Sequence, residues 1–246
     1  SLTDLPSLSL SKAGEGEGEK EEDDQTPWRR CLGHSLRSLS LEGLPKIVNL
    51  PKGMCYLTAL ELLHIGDCEG LESLSNAGER EGEGEENDGL PWRCLGHSLR
   101  SLSFNKLPKL VHLPKGMCYL TALESLHIED CEGLESLSNA GEREGEGEEN
   151  DGLPWRCLGH NLRSLALCNL PKLVNLPKGM RYLTALKSLD VSSCPALESL
   201  PESMRELTSL EELRIGNCSD SLKERCRENT GEDWPNIQHI PKKRIR

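Results

Sequence analysis

The chain has 246 residues, a formal net charge of −12 at pH 7, and only 3% aromatic residues. That length fits one domain or one elongated repeat array. The acidic balance, with no basic stripe, speaks against nucleic acid as a partner. No apolar run is long enough for a membrane span, and no nucleophile–base–orienter set supports an enzyme.

The acidity is local. Three Gly–Glu runs at 13–26, 77–89 and 140–152 hold seven, six and six acidic residues with one basic residue each, so the remainder is mildly basic. Such runs bury no apolar area and repel themselves, which predicts flexible, solvated loops. They lack the Asp spacing of a calcium loop. Residues 2–10 read as the tail of an earlier repeat cut mid-unit, with no lid over its apolar end. More chain is expected upstream.

From Leu36 a six-position pattern, L-x-x-L-x-L, recurs seven times. Its three apolar positions are Leu36–Leu39–Leu41, Leu60–Leu63–Ile65, Leu99–Leu102–Phe104, Leu123–Leu126–Ile128, Leu162–Leu165–Leu167, Leu186–Leu189–Val191 and Leu210–Leu213–Ile215. The starts are 24, 39, 24, 39, 24 and 24 residues apart. This period and pattern define leucine-rich repeats, each coil giving one short strand to a parallel sheet. The expected fold is an α/β repeat solenoid with the sheet on its concave face and short helices on its convex side. The 39-residue units are 24-residue units carrying 15 extra residues, and a period of 63 shows that two coils were duplicated as a pair.

Side chains alternate along a strand, so the x positions face outward from the sheet. The first x alternates Arg37, Glu61, Arg100 and Glu124, which predicts ion pairs along the ladder worth under about 1 kcal/mol each. His64 and His127 occupy equivalent outward positions. The face is mostly serine until the last coils, which bring Lys187, Asp190, Glu211, Glu212 and Arg214. Those seven side chains are the candidate protein-binding residues.

Eleven cysteines are present. Cys68, Cys131, Cys194 and Cys218 each stand eight positions after a strand-opening leucine, a slot that turns into the coil. Thiols there stay reduced, which favours a cytoplasmic protein. The C-L-G-H pairs Cys31/His34, Cys94/His97 and Cys157/His160 repeat two coils apart, about 10 Å along a sheet. That is too far to share a zinc ion, so no metal site is assigned. Trp28, Trp92 and Trp155 follow each insert and are read as indole anchors for it. Tyr56, Tyr119 and Tyr182 are read as convex-side packing.

After Ile215 the pattern stops. Residues 221–229 predict a short helix with Leu222 and Cys226 on one face, and 237–240 a last strand, together closing the core. Lys242, Lys243, Arg244 and Arg246 form a basic tail, with nuclear import as an alternative reading. The chain thus divides into a partial repeat with its insert (1–35), repeats (36–215, inserts at about 75–90 and 138–153) and a cap with a tail (216–246).

The unit L-P-K-G-M-x-Y-L-T-A-L and the ending with Cys226, G-E-D-W-P at 231–235 and H-I-P at 239–241 resemble the C-terminal repeats of plant coiled-coil-type nucleotide-binding leucine-rich-repeat (NLR) disease-resistance proteins. The acidic inserts depart from that family's spacing. The resemblance implies a sensor that perceives a pathogen effector or a guarded host protein. It also implies contact with an upstream nucleotide-binding domain that takes ADP or ATP. This chain has no phosphate-loop motif, so it carries no cofactor itself. A free-standing scaffold or adaptor, and a secreted ectodomain, stand as alternatives.

Overall fold

The computed structural model describes residues 7–10, 33–71, 74, 91–139 and 154–246. Eleven strands are present among them: β1 (Ser7–Leu10), β2 (Ser38–Glu42), β3 (Leu62–Gly66), β4 (Ser101–Asn105), β5 (His112–Leu113), β6 (Ser125–Glu129), β7 (Ser136–Asn139), β8 (Ser164–Cys168), β9 (Ser188–Ser192), β10 (Glu212–Gly216) and β11 (Lys242–Ile245). Nine of them form one parallel sheet in the order β1-β2-β3-β4-β6-β8-β9-β10-β11, and β5 pairs with β7 in a small second sheet. The seven leucine signatures supply β2, β3, β4, β6, β8, β9 and β10. The nine-stranded parallel sheet with short helices is a leucine-rich-repeat solenoid.

Two rows of apolar residues run across the sheet and point into the coils. One is Leu39, Leu63, Leu102, Leu126, Leu165, Leu189 and Leu213; the other is Leu41, Ile65, Phe104, Ile128, Leu167, Val191 and Ile215. All of these are buried. β3 pairs with β4 across a 39-residue unit in the same register as β2 with β3 across a 24-residue unit. The extra residues therefore leave the sheet unchanged.

Each of the seven signature strands is followed by a residue with left-handed backbone: Gly43, Asp67, Lys106, Asp130, Asn169, Ser193 and Asn217. Its N–H continues the ladder to the next coil, as in Lys106 to Glu129 O at 3.0 Å and Ser193 to Gly216 O at 2.8 Å. The return arm of four coils is a 3-10 helix: Lys52–Tyr56, Lys115–Tyr119, Lys178–Tyr182 and Glu202–Glu206. Each begins after a proline, whose fixed φ suits a helix entrance. Two short helices, α1 (Trp92–Leu95) and α2 (Trp155–Leu158), wedge between successive 3-10 helices.

The interior thiols lie where the spacing puts them. Cys68, Cys131 and Cys194 are fully buried, Cys218 nearly so. Each donates to the carbonyl two residues earlier, from Cys68 to Gly66 at 3.1 Å to Cys218 to Gly216 at 3.4 Å. Desolvation drives the Cys131 thiol up to about 11. Trp92 and Trp155 are buried, and their indole N–H groups reach Leu74 O at 2.8 Å and Leu137 O at 3.1 Å. Trp92 also meets Phe104 edge to face.

The C-terminal end differs from expectation. α3 (Asp220–Arg225) is the expected short helix, with Leu222 and Cys226 buried against the core. Residues 237–240 do not form the last strand: Ile237 ends α4 (Trp234–Ile237), 238–240 form the turn that follows it, and the strand is β11, built from the basic tail. Lys243 stands in the row that leucines occupy elsewhere. Its ammonium turns back to Ile240 O at 2.6 Å and over the Trp234 ring at 4.8 Å, closing the last coil with a cation. At the other end, Leu8 and Leu10 of β1 pair with Leu39 and Leu41, so the presumed tail of a repeat supplies a strand in register.

Candidate protein-binding surface

The outward face of the sheet consists of two register lines. The first is Ser38, Leu62, Ser101, Ser125, Ser164, Ser188, Glu212 and Lys242. The second is Ser40, His64, Ser103, His127, Ala166, Asp190, Arg214 and Arg244. Serine dominates the first five coils, and large aromatic anchors of the kind that dominate binding energy are absent from both lines.

Five of the seven candidate residues come together at the last coils. Lys187 and Glu211 pair at 3.2 Å across the entrances of adjacent strands. Arg214 lies between Glu212 at 2.9 Å and Asp190 at 3.9 Å. The charged group also includes Arg244, 3.9 Å from Glu212, and Lys242 beside it in register. The Arg214 hydrogen bond, with Arg244 and Lys242 behind it, holds the Glu212 carboxyl below its ordinary range. The sequence reading missed these two cations because it placed the last strand earlier. Their signal was the period-two spacing of Lys242 and Arg244, masked by the charge of the tail.

The two histidines stand apart from that cluster. His127 is separated from Asp190 by Ala166 on the same line and contacts Glu129 at 3.3 Å. His64 folds over Gly66, where an added Cβ would lie 2.7 Å from Nε2. Glu129 in turn accepts from Asn105 at 3.1 Å, a polar link between coils that the sequence reading did not single out. The predicted entrance pairs form: Arg37 with Glu61 and Arg100 with Glu124.

The C-L-G-H pairs do not gather. Cys94 and Cys157 are half-buried, while His97 and His160 point to solvent. Among the described residues no group of three His, Cys, Asp or Glu side chains could hold a metal ion. The tyrosines add a contact beyond packing: Arg93 lies 5.9 Å from the Tyr119 ring and Arg156 5.8 Å from that of Tyr182. Cys31, Trp28 and most of each acidic insert lie outside the described residues. Among the described residues no helix is long and apolar enough to cross a membrane.

A leucine-rich-repeat solenoid with a broad outward sheet is a protein-interaction repeat domain by class, and several solved structures share its fold. The leucine-rich-repeat domain of the type III effector XCV3220 (XopL) matches with TM-score 0.51 and 26% identity, covering 74% of this chain and 52% of that one. The Leptospira interrogans leucine-rich-repeat protein LIC12759 matches with TM-score 0.50 and 20% identity, over 98% of this chain and 56% of that one. The receptor in a TLR13–ssRNA13 complex matches with TM-score 0.57 and 18% identity, over 99% of this chain and 33% of that one. The chain thus spans between about a third and just over half of these structures. Comparison with curated protein sequences finds no match. The family model "plant disease resistance protein RPS2-like, leucine-rich repeats" matches residues 18–141 and 117–219. The chain belongs to that family.

Proposed function

We propose that these repeats are the sensor and autoinhibitory region of a plant intracellular immune receptor. The family match over residues 18–219 carries this reading. The charged cluster of Asp190, Glu212, Arg214 and Arg244 supports a contact surface at the last coils. Its charges are mutually paired, so a partner gains by exchanging one set of ion pairs for another. That favours specificity and reversible release over raw affinity.

The mechanism is a population shift. The repeats bind the nucleotide-binding module in the resting state, and an effector or guarded host protein that prefers the released state moves the balance toward activation. ADP or ATP acts on that module, and the repeats work without a cofactor and without catalysis. The buried thiols fit a reducing cytoplasm.

The test is the size of the endogenous polypeptide, detected with an antibody against residues 226–246. A band several times the 27.3 kDa of this chain supports the receptor. A band at that size overturns it and leaves a free-standing scaffold. In a larger polypeptide, Asp190→Lys with Glu212→Lys should alter recognition or raise resting activity; unchanged behaviour in both would remove the last coils from the mechanism.

A further inference from the structure

Four half-buried cysteines outside the binding face form two pairs. Cys55 lies in the 3-10 helix Lys52–Tyr56, and Cys94 in α1, which packs directly against it. The two half-buried thiols face each other across this packing, close enough for each to act on the other. One duplication later Cys118, in Lys115–Tyr119, meets Cys157 of α2 in the same way. The cysteines of the coil interior belong to a different, buried row and bond backbone carbonyls, and two of them, Cys194 and Cys218, also lie against each other.

The third copy of the unit acts as an internal control. It has Arg181 where the first two have Cys55 and Cys118, and no C-L-G-H follows it. Arg181 instead stacks 4.9 Å from the Tyr182 ring and donates to its hydroxyl at 2.9 Å. The thiol of the return arm thus disappears together with its partner in the next coil. In that copy no helix equivalent to α1 or α2 follows, and Lys178–Tyr182 packs on Glu202–Glu206 instead.

We propose that Cys55/Cys94 and Cys118/Cys157 are two dithiol modification sites, oxidised by a peroxide to disulfides that each tie the exit of an acidic insert to the coil before it. One thiolate attacks a peroxide oxygen, the O–O bond breaks, and a sulfenic acid and hydroxide result; the hydroxide takes the first thiol proton as water. The second thiolate attacks the sulfenic sulfur, the S–S bond forms, and the S–O bond breaks to give a second water with the second proton. Two electrons pass from the sulfurs to peroxide oxygen. Each bridge spans 39 residues, and each leaves the sheet and its outward face untouched.

The experiment is hydrogen peroxide treatment of the full chain, followed by intact mass and non-reducing peptide mapping. The expected result is a loss of about 4 Da, with Cys55–Cys94 and Cys118–Cys157 linkages and the interior cysteines still alkylatable after unfolding. Burial raises the Cys94 and Cys157 thiols, so the rate should climb about tenfold per pH unit through neutrality. The Cys118→Arg variant copies the arrangement of the third unit and should fold. It should lose only the second linkage, for a fall of about 2 Da. Oxygen addition without linkage, a Cys94–Cys118 bridge, or bridges between chains would each overturn the proposal.

Discussion

Asp233 and Arg225 meet in a two-pronged ion pair, with Nη2 to Oδ1 at 2.8 Å and Nε to Oδ2 at 3.1 Å. Asp233 is only 2% exposed, and its Oδ2 also accepts the Leu200 backbone N–H at 2.8 Å. One carboxylate therefore joins α3, the G-E-D-W-P turn and the return arm of the last coil. Gly231 makes the turn feasible, since a Cβ there would sit 2.1 Å from Arg225 O. Arg225 keeps about a third of its side chain in solvent, so Asp233→Ala should cost about 1–3 kcal/mol, the scale for leaving the buried Leu200 N–H without its acceptor. Urea denaturation followed by the C-terminal tryptophan region is the check, and a loss under about 1 kcal/mol would demote the pair to decoration.

Trp92 and Trp155 fill equivalent sites, but Trp92 faces Phe104 whereas Leu167 stands at the same register position near Trp155. Either tryptophan to alanine should cost about 3–5 kcal/mol. A double-mutant cycle of Trp92 with Phe104 should add roughly 0.5–1.5 kcal/mol of coupling. The corresponding Trp155–Leu167 cycle should show less, measured by thermal denaturation of the four variants in each set.

Alkaline pH should unfold the chain earlier than its ion pairs alone would suggest. Burial pushes Cys131 from 9.0 up to about 11 and Cys226 up to about 12. The folded state holds these protons more tightly, so their contribution is complete below pH 9 and is lost as pH rises through 11 and 12. Each group removes about a factor of ten per pH unit from the folding constant in that window. Denaturation midpoints under reducing conditions should fall there, and Cys131→Ala should make the fall shallower.

Lys106 adopts φ 49°, a left-handed backbone that suits glycine or asparagine better than lysine. Lys106→Gly should therefore stabilise the array by roughly 1 kcal/mol, read as a raised denaturation midpoint. By contrast, Glu61→Gln at the exposed Arg37 pair should change stability by less than about 1 kcal/mol.

What the sequence disclosed was whatever repeats by packing. A leucine in a signature must be buried for the coil to close, so spacing located seven strands, the interior thiols and the tryptophan anchors. The motif Leu5-x-x-Leu8-x-Leu10 passed unnoticed because it stands outside the regular spacing, although its strand pairs in full register. β11 was misplaced for an opposite reason. An edge strand tolerates lysine and arginine, so K-K-R-I has no apolar signature, while I-Q-H-I reads as a strand but forms the last residue of α4 and the turn after it. The thiol pairs were hidden because each joins a residue of one coil to a residue of the next unit. The C-L-G-H spacing relates Cys94 to His97 and to its own copies two coils away, whereas its thiol neighbour, Cys55, comes from the coil directly before.

The common register of β2 with β3 and of β3 with β4 separates two kinds of change that most folds couple. Fifteen residues can enter or leave the back of a coil without giving any sheet residue a new neighbour. Length on one side and surface chemistry on the other are then free to drift at different rates. A lineage carrying this architecture can try new loops while the outward face of the sheet stays constant.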